Sequence, residues 1–537
     1  MRMQKANQIL QAIRKMGEND IPLTRVYRNL YCEELYLAAY GKLYRNKGAL
    51  TPGTDPEDTI DAMNMRRIRR LIEALRTERF HFRPVRGKDV PKKSGGKRPL
   101  GMPNFTDKLM QEVLRMVLEA YYEPQFSDHS HGFRPKRGCH TALREVYNQW
   151  RGTTWFIEGD ISKCFDTLDH QLMLNILAEK IHDGRFIALI DELLNAGYIE
   201  DWKRHKTLSG TPQGGVISPI LSNIYLDGLD QWITNTLIPQ YTRGDARQIN
   251  PAYHQPIVKA RHLERQGRYE EAKQLRRKAQ QQPSKLPDDP TFRRLRYVRD
   301  ADDFLLGFCG TKAEAEAIKL QIGEFLQNSL KLELSETKTL VTHARTENAR
   351  FLSYHIHTFQ DDTRRSSSGS RINGIVGLEV PKDVIRKNMK PYLKNGKPIH
   401  RVELIFNSDY AIIRQYQQEY RGIVEYYRLA YNIRQLEHLK YVMECSLTKT
   451  LARKYKISVT KVYKRYKTIL QTEQGPRKGL QVQIEREGKK PITASWGGIS
   501  LTRDLGASLN DAPHQIITYT RTELEQRVLA NTCEICG

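Results

Sequence analysis

Two adjacent carboxylates, Asp302 and Asp303, lie between the apolar runs of LRYVRDADDFLLGF, and a third, Asp160, ends the apolar run TWFIEGD. Asp-Asp pairs also occur at 288–289 and 361–362 in plain loop sequence, so a pair alone carries little. Carboxylates at the tips of apolar strands differ, because like charges brought together are costly until cations neutralise them. Hard oxygen ligands suit Mg2+, which keeps waters and completes its shell with substrate phosphates. Two such ions can activate an attacking hydroxyl and stabilise a leaving oxygen in phosphoryl transfer. The bland alternative is a solvated acidic turn.

Basic and glycine-rich segments complement these acids. KKSGGKRPLGMP (92–103) sets Lys92, Lys93, Lys97 and Arg98 around a glycine turn, a grip suited to a triphosphate or else an ordinary basic surface turn. GTPQGGVISP (210–219) places Gly214 and Gly215 where a base pair can approach the main chain, unless the segment is a simple helix entry. Between 445 and 467 eight Lys/Arg face no acid and alternate with Tyr455, Tyr463 and Tyr466. Such cations neutralise phosphates while the rings stack on bases; the alternative is a solvated basic helix.

The elements that must position these residues follow from periodicity. Residues 1–90 read as helical, with Ile68, Leu71, Ile72 and Leu75 on one face. A strand, a Ser94-Gly95-Gly96 turn and a return strand fill 87–105, and helical spacing resumes at 107–122. A buried strand covers 154–160 and a helix 172–181. Residues 295–308 predict two strands around an acidic turn, followed by a helix over 312–330. The segment ARHLERQGRYEEAKQLRRKA has the spacing of one tetratricopeptide-like repeat; a single copy cannot stack, so 240–295 reads as a helical hairpin insertion. Residues 361–373 read as a polar linker, 380–470 as helical with one basic helix over 445–467, and no fold emerges beyond 475.

The whole chain sets the frame. Its 537 residues exceed one ordinary core. An excess of 87 Lys+Arg over 62 Asp+Glu, a net +25, is the footprint of a polyanion binder. No apolar run of membrane-spanning length appears, and a secretory leader is not expected from MRMQKANQILQAIRKMG. Seven scattered cysteines argue against a disulfide framework and for a reducing compartment.

The ordered series KRPLGMP, SHGFRPKRGCHTAL, FIEGDISKCFDTLDH, SGTPQGGVISPILSNIYL and YVRDADDFLLGF resembles the reverse transcriptase of bacterial and organellar group II introns. The likeness runs from about residue 25 to 355 and continues in RGIVEYYRLAYN (421–432) and CSLTKTLARKYKISVTKVYKRYK (445–467), which resemble the thumb and maturase region. It implies an α+β fold: a right-hand polymerase of fingers, palm with antiparallel sheet and helical thumb, plus a helical maturase region and a small C-terminal DNA-binding region. The implied layout is an N-terminal fingers extension (1–90), fingers and palm (91–360, with the 240–295 insertion), thumb and maturase region (374–470), DNA-binding region (475–530) and the start of an H-N-H endonuclease domain (531–537).

The resemblance also assigns roles. Asp160, Asp302 and Asp303, with the backbone of Ile161, match the ligands of two Mg2+ ions. Phe165 matches the ring that excludes a ribose 2′-hydroxyl; Gln213 and Gly214 match the segment beside the incoming nucleotide, and Lys97 and Arg98 the triphosphate contacts. Lys338, in LSETKT, resembles the lysine that protonates pyrophosphate, with a solvent-exposed lysine as the alternative. Arg453, Lys454, Tyr455, Lys456, Lys461, Tyr463, Lys464 and Arg465 fall in the RNA-binding maturase region. The expected partners are group II intron RNA, target DNA, deoxynucleoside triphosphates and a second copy of the chain as a homodimer, with no membrane. The expected setting is bacterial cytoplasm or an organelle, and the expected biology is assisted splicing and retrohoming.

Three departures and two alternatives accompany this likeness. The family's catalytic turn is normally Tyr-Ala-Asp-Asp; here it is Asp300-Ala301-Asp302-Asp303, with Arg299 and Arg296 as the nearest cations to offset the added charge. A splicing-only maturase with weakened polymerase is therefore the runner-up. FLSY (351–354) replaces the usual Phe-Leu-Gly-Phe. A retron or defence reverse transcriptase ranks lower, because those lack the maturase-like extension. RTELEQRVLANTCEICG resembles the opening of the H-N-H domain, and Cys533 and Cys536 supply two of the four ligands a structural zinc needs. Neither nuclease activity nor structural zinc is expected in this chain.

Overall fold

The computed structural model describes residues 4–44, 50–91, 97–162, 164–200, 203–205, 215–286, 289–361, 372–486 and 489–509. It is mixed helix and mainly antiparallel sheet, in keeping with the expected α+β class. The described chain divides into two compact units: the first holds residues 4–138 and 159–341, the second 139–158 and 342–509.

In the first unit, helices α1 (Gln4–Glu18), α2 (Glu33–Leu43) and α3 (Met65–Arg76) precede a hairpin of β1 (Val85–Pro91) and β2 (Lys97–Met102). The hairpin register runs from Arg86↔Met102 to Pro91↔Lys97. Helix α4 (Phe105–Tyr122) is buried on most of its circumference. A Cβ at Gly17 of α1 would stand 2.0 Å from the Tyr121 carbonyl oxygen, so glycine sets how closely α1 meets α4.

Strand β3 (Trp155–Asp160) ends in this unit, and α5 (Ser218–Trp232) buries apolar residues together with Asn223 and Asp230. The basic segment forms the expected helical hairpin, α6 (Pro251–Arg265) and α7 (Tyr269–Ala279). Ala260, Ala272 and Ala279 are fully buried in it, and Arg276 grips Glu264 at 2.7 and 2.8 Å.

Strands β4 (Arg294–Asp300) and β5 (Asp303–Cys309) pair from Arg294↔Cys309 to Asp300↔Asp303, leaving Ala301 and Asp302 as the turn. Asp303 therefore opens the second strand, whereas the sequence reading put both acids in the turn. Helix α8 (Lys312–Leu330) starts at a Thr311/Glu314 capping box and buries Ala315, Ile318, Ile322 and Leu326 at helical spacing.

The second unit pairs Tyr354–Thr358 with both Ala349–Phe351 and Val376–Glu379, then continues in α9 (Asp409–Tyr426) and α10 (Leu436–Tyr455). The single helix expected over 445–467 is two. Lys456 takes φ +53 and ends α10, and Ser458 caps α11 (Val459–Tyr466) by accepting from the Lys461 amide. The segment after it is an antiparallel sheet of β6 (Lys467–Thr472), β7 (Gly475–Arg486) and β8 (Lys489–Gly497). Trp496 of β8 is fully buried, 5.5 Å from Tyr420 and 6.4 Å from Tyr416 of α9. The expected domain border at 470–475 falls at the turn of the β6/β7 hairpin. Residues 362–371, most of the expected linker, and 510–537, with Cys533 and Cys536, lie outside the described residues.

Candidate active site and nucleic-acid surfaces

Strand β3 delivers Asp160 to the start of β5. Gly159 permits this, since a Cβ there would lie 2.0 Å from the Phe304 ring. Asp303 lies within electrostatic reach of Asp160, and burial, reinforced by the charges of Asp302 and Asp160, pushes the Asp303 carboxyl up to about 7. Asp302, in the turn, lies close enough to act on both Asp303 and Lys338. Ile161 is buried and its amide donates to the Asp302 carbonyl at 3.4 Å.

Segment 333–335 runs beside the end of β3: Ser162 donates to the Glu333 carbonyl and Ser335 to that of Asp160, at 2.9 and 2.8 Å. This contact brings Lys338 to Asp160, where its ammonium meets both carboxylate oxygens at 2.9 and 2.8 Å. The hydrogen bond to Asp160 raises the Lys338 pKa, so the group stays protonated. Among the described residues no three or more His, Cys, Asp or Glu side chains close around one point as a metal cage. Two converging carboxylates nevertheless fit Mg2+, which takes one or two carboxylates and fills its shell with water and substrate phosphates.

Other expected residues fall as follows. Phe165 lies on the short helix Cys164–Thr167, 6.3 Å from the Phe133 ring. Lys97 and Arg98 pair through the backbone in the β1/β2 hairpin. Gln213 and Gly214 lie outside the described residues.

Sequence reading missed the framework under the turn. In sequence Arg299 is, with Arg296, a cation that could offset the charge of Asp300. Instead it is fully buried, bonded to Asp230 at 2.5 and 2.8 Å, Ser130 at 2.9 Å, Asn223 at 3.3 Å and the Ala301 carbonyl at 2.8 Å. Side chains alternate along a strand, so Arg299 and Asp300 point to opposite faces. Tyr297 also donates to Asp230, at 2.7 Å. The available signal was Asn223 and Asp230 at a seven-residue spacing within the apolar helix ILSNIYLDGLDQW.

In the second unit Arg453, Lys456, Lys461, Lys464 and Arg465 are exposed. Lys454 and Tyr455 turn inward to Asp409, and Tyr463 donates to Glu444 at 2.9 Å. The Arg465 guanidinium lies 4.5 Å from the Tyr455 ring centroid. Among the described residues no helix is long and apolar enough to cross a membrane.

Comparison with known proteins finds two family matches along the chain. Residues 90–356 match the reverse transcriptase (RNA-dependent DNA polymerase) family model, and residues 376–486 the type II intron maturase model. Group II intron-encoded protein LtrA of Lactococcus lactis subsp. cremoris is 38% identical over 98% of this chain and 90% of its own length. A putative COX1/OXI3 intron 1 protein of Saccharomyces cerevisiae is 37% identical over 81% of this chain and 54% of that protein. Nuclear intron maturase 2, mitochondrial, of Arabidopsis thaliana is 24% identical over 74% of this chain and 60% of its own. With both family models matched in order and a relative alike over nearly its whole length, the chain belongs to the group II intron-encoded reverse transcriptase and maturase family.

Proposed function

We propose that this reverse transcriptase extends DNA on its intron RNA at the Asp160–Asp303 pair with two Mg2+ ions, and that the same chain holds the RNA for splicing and retrohoming. The observation that carries the reading is the meeting of Asp160, Asp303 and Lys338 at the ends of two strands. Bound there, with Asp302 and the Ile161 backbone as further ligands, Mg2+ would supply activation of a primer hydroxyl and neutralisation of leaving pyrophosphate. Lys338 holds a proton beside that position and donates it to a pyrophosphate oxygen. Phe165 excludes a 2′-hydroxyl, Lys97 and Arg98 grip the triphosphate, and Gln213 and Gly214 flank the nucleotide. The splicing-only alternative is not favoured, because the reverse transcriptase match spans the turn that contains Asp300. Target DNA would meet the region 475–530, and a homodimer is the assembly to examine by light scattering.

Primer extension on an RNA template with Mg2+ tests the reading. Asp303→Asn and Asp160→Asn should each lose about 100-fold or more in rate, as expected when charge stabilisation in a transition state is removed. Intron RNA binding and splicing support should persist in both. Full extension activity in either variant would sink the assignment.

A further inference from the structure

The loop before the Cys139–Gln149 helix holds one exposed ring in place with a dense set of buried bonds. Phe133 is 58% exposed and takes φ +59, a left-handed conformation that a bulky residue adopts only under constraint. Before it, the Gly132 carbonyl accepts from the buried Asn223 amide at 2.8 Å, and the His131 amide donates to the Arg299 carbonyl at 2.8 Å. A Cβ at Gly132 would stand 2.2 Å from the Ala301 nitrogen, so this backbone lies directly against the acidic turn. After it, buried Arg134 clamps the carbonyls of Ser127 and Ser130 at 2.6 and 2.8 Å and reaches Glu123 at 3.1 Å. The ring held this way meets Phe165 edge to face, centroids 6.3 Å apart at 74°.

A surface phenylalanine with no task has no reason to occupy this geometry, because glycine suits the backbone better and exposes no apolar ring to water. We infer that Phe133 is a specificity-determining residue of the nucleotide pocket, its ring backing Phe165 so that the two together wall off the 2′ position of the incoming sugar. The inference rests on the proposed reading of Asp160, Asp303 and Phe165. Phe165 stands on a helix of one turn, where a lone ring can swing aside for a ribose. The Phe133 ring blocks that retreat, and the bonds of its neighbours His131 and Gly132 to Arg299 and Asn223 fix the wall relative to the carboxylates.

Single-nucleotide incorporation with deoxyribo- and ribonucleoside triphosphates, together with thermal unfolding, tests this. Phe133→Gly should unfold at the wild-type temperature or above it, since strain is relieved. Its preference for deoxyribonucleotides, as the ratio of kcat/KM values, should fall about tenfold, the scale of discrimination by an apolar pocket wall. Phe133→Leu should fall between, and it serves as the test should the glycine variant not fold. An unchanged ratio, whether or not overall turnover drops, overturns the inference and leaves Phe133 a structural residue. Failure of the underlying reading is separable: Asp303→Asn would then incorporate both substrates as fast as wild type.

Discussion

Arg299 places a positive charge where no solvent reaches, and the buried carboxylate of Asp230, bonded to it twice, offsets that cost. Burial alone would lower the guanidinium pKa; the Asp230 charge and hydrogen bonds more than reverse this, so Arg299 stays charged. Removing one partner strands the other, and Asp230→Asn should cost about 3–5 kcal/mol of stability. Calorimetry would check this, with an unchanged unfolding temperature contradicting it. The Asp230→Leu/Arg299→Leu pair should recover most of the loss while polymerase activity stays low, because the Ala301 carbonyl has lost its donor. Asp300 poses the opposite question. It stands across from Asp303 in the hairpin register. Asp300→Tyr should raise the primer-extension rate by removing a carboxylate that repels its neighbours and primer phosphates. An equal or slower rate would show that the acid is tolerated or useful. Legibility divides along the same lines: the acids announce themselves by flanking apolar runs, whereas Arg299 and Asp230 find each other across 69 residues and give no local sign.

Elements with their own signals are legible, and those shaped by distant packing are not. Helix α8 carries its capping box and apolar spacing within its own sequence, and 312–330 is what the structure contains. The α10/α11 corner hides because lysine, not glycine, occupies the left-handed position at 456. The closing sheet hides because its register depends on Trp496 packing against α9, some 70 residues earlier in the chain. Asp409, first residue of α9, ties that corner together by accepting from Lys454 at 2.6 Å, from Tyr455 at 2.7 and 2.8 Å, and from Tyr466. Burial raises its pKa, but the three hydrogen-bond donors outweigh that and hold it below the ordinary value. A depressed carboxylate adds stability above its unfolded pKa, about 3.9, and loses it as pH falls through the folded value. Asp409→Asn should therefore unfold at lower temperature at pH 7, with the gap to wild type closing below about pH 4. A gap independent of pH would show that packing, not charge, holds the corner.

For the whole molecule, the net charge of +25 indicated a polyanion partner without saying where it binds. Exposed cations include Lys259, Arg261, Arg265, Arg277 and Lys278 on the α6/α7 hairpin of the first unit, and Lys456, Lys461, Lys464 and Arg465 at the α10/α11 corner of the second. The maturase match covers the corner and not the hairpin, so the proposed RNA contact is tested first at the corner. Neutralising phosphates releases counterions, so the number of cations in contact is readable from salt dependence. Replacing the four corner residues by glutamine should weaken intron RNA binding and flatten the plot of log affinity against log salt by about 3 units, from roughly 0.7–0.9 per contact. Replacing the five hairpin residues should change that slope by less than 1 if the hairpin stays off the RNA. Primer extension at saturating template should keep its rate in both sets, because Asp160 and Asp303 are untouched. Equal slopes for the corner set and wild type would refute RNA binding there, and a slope lost only in the hairpin set would move the RNA onto the insertion.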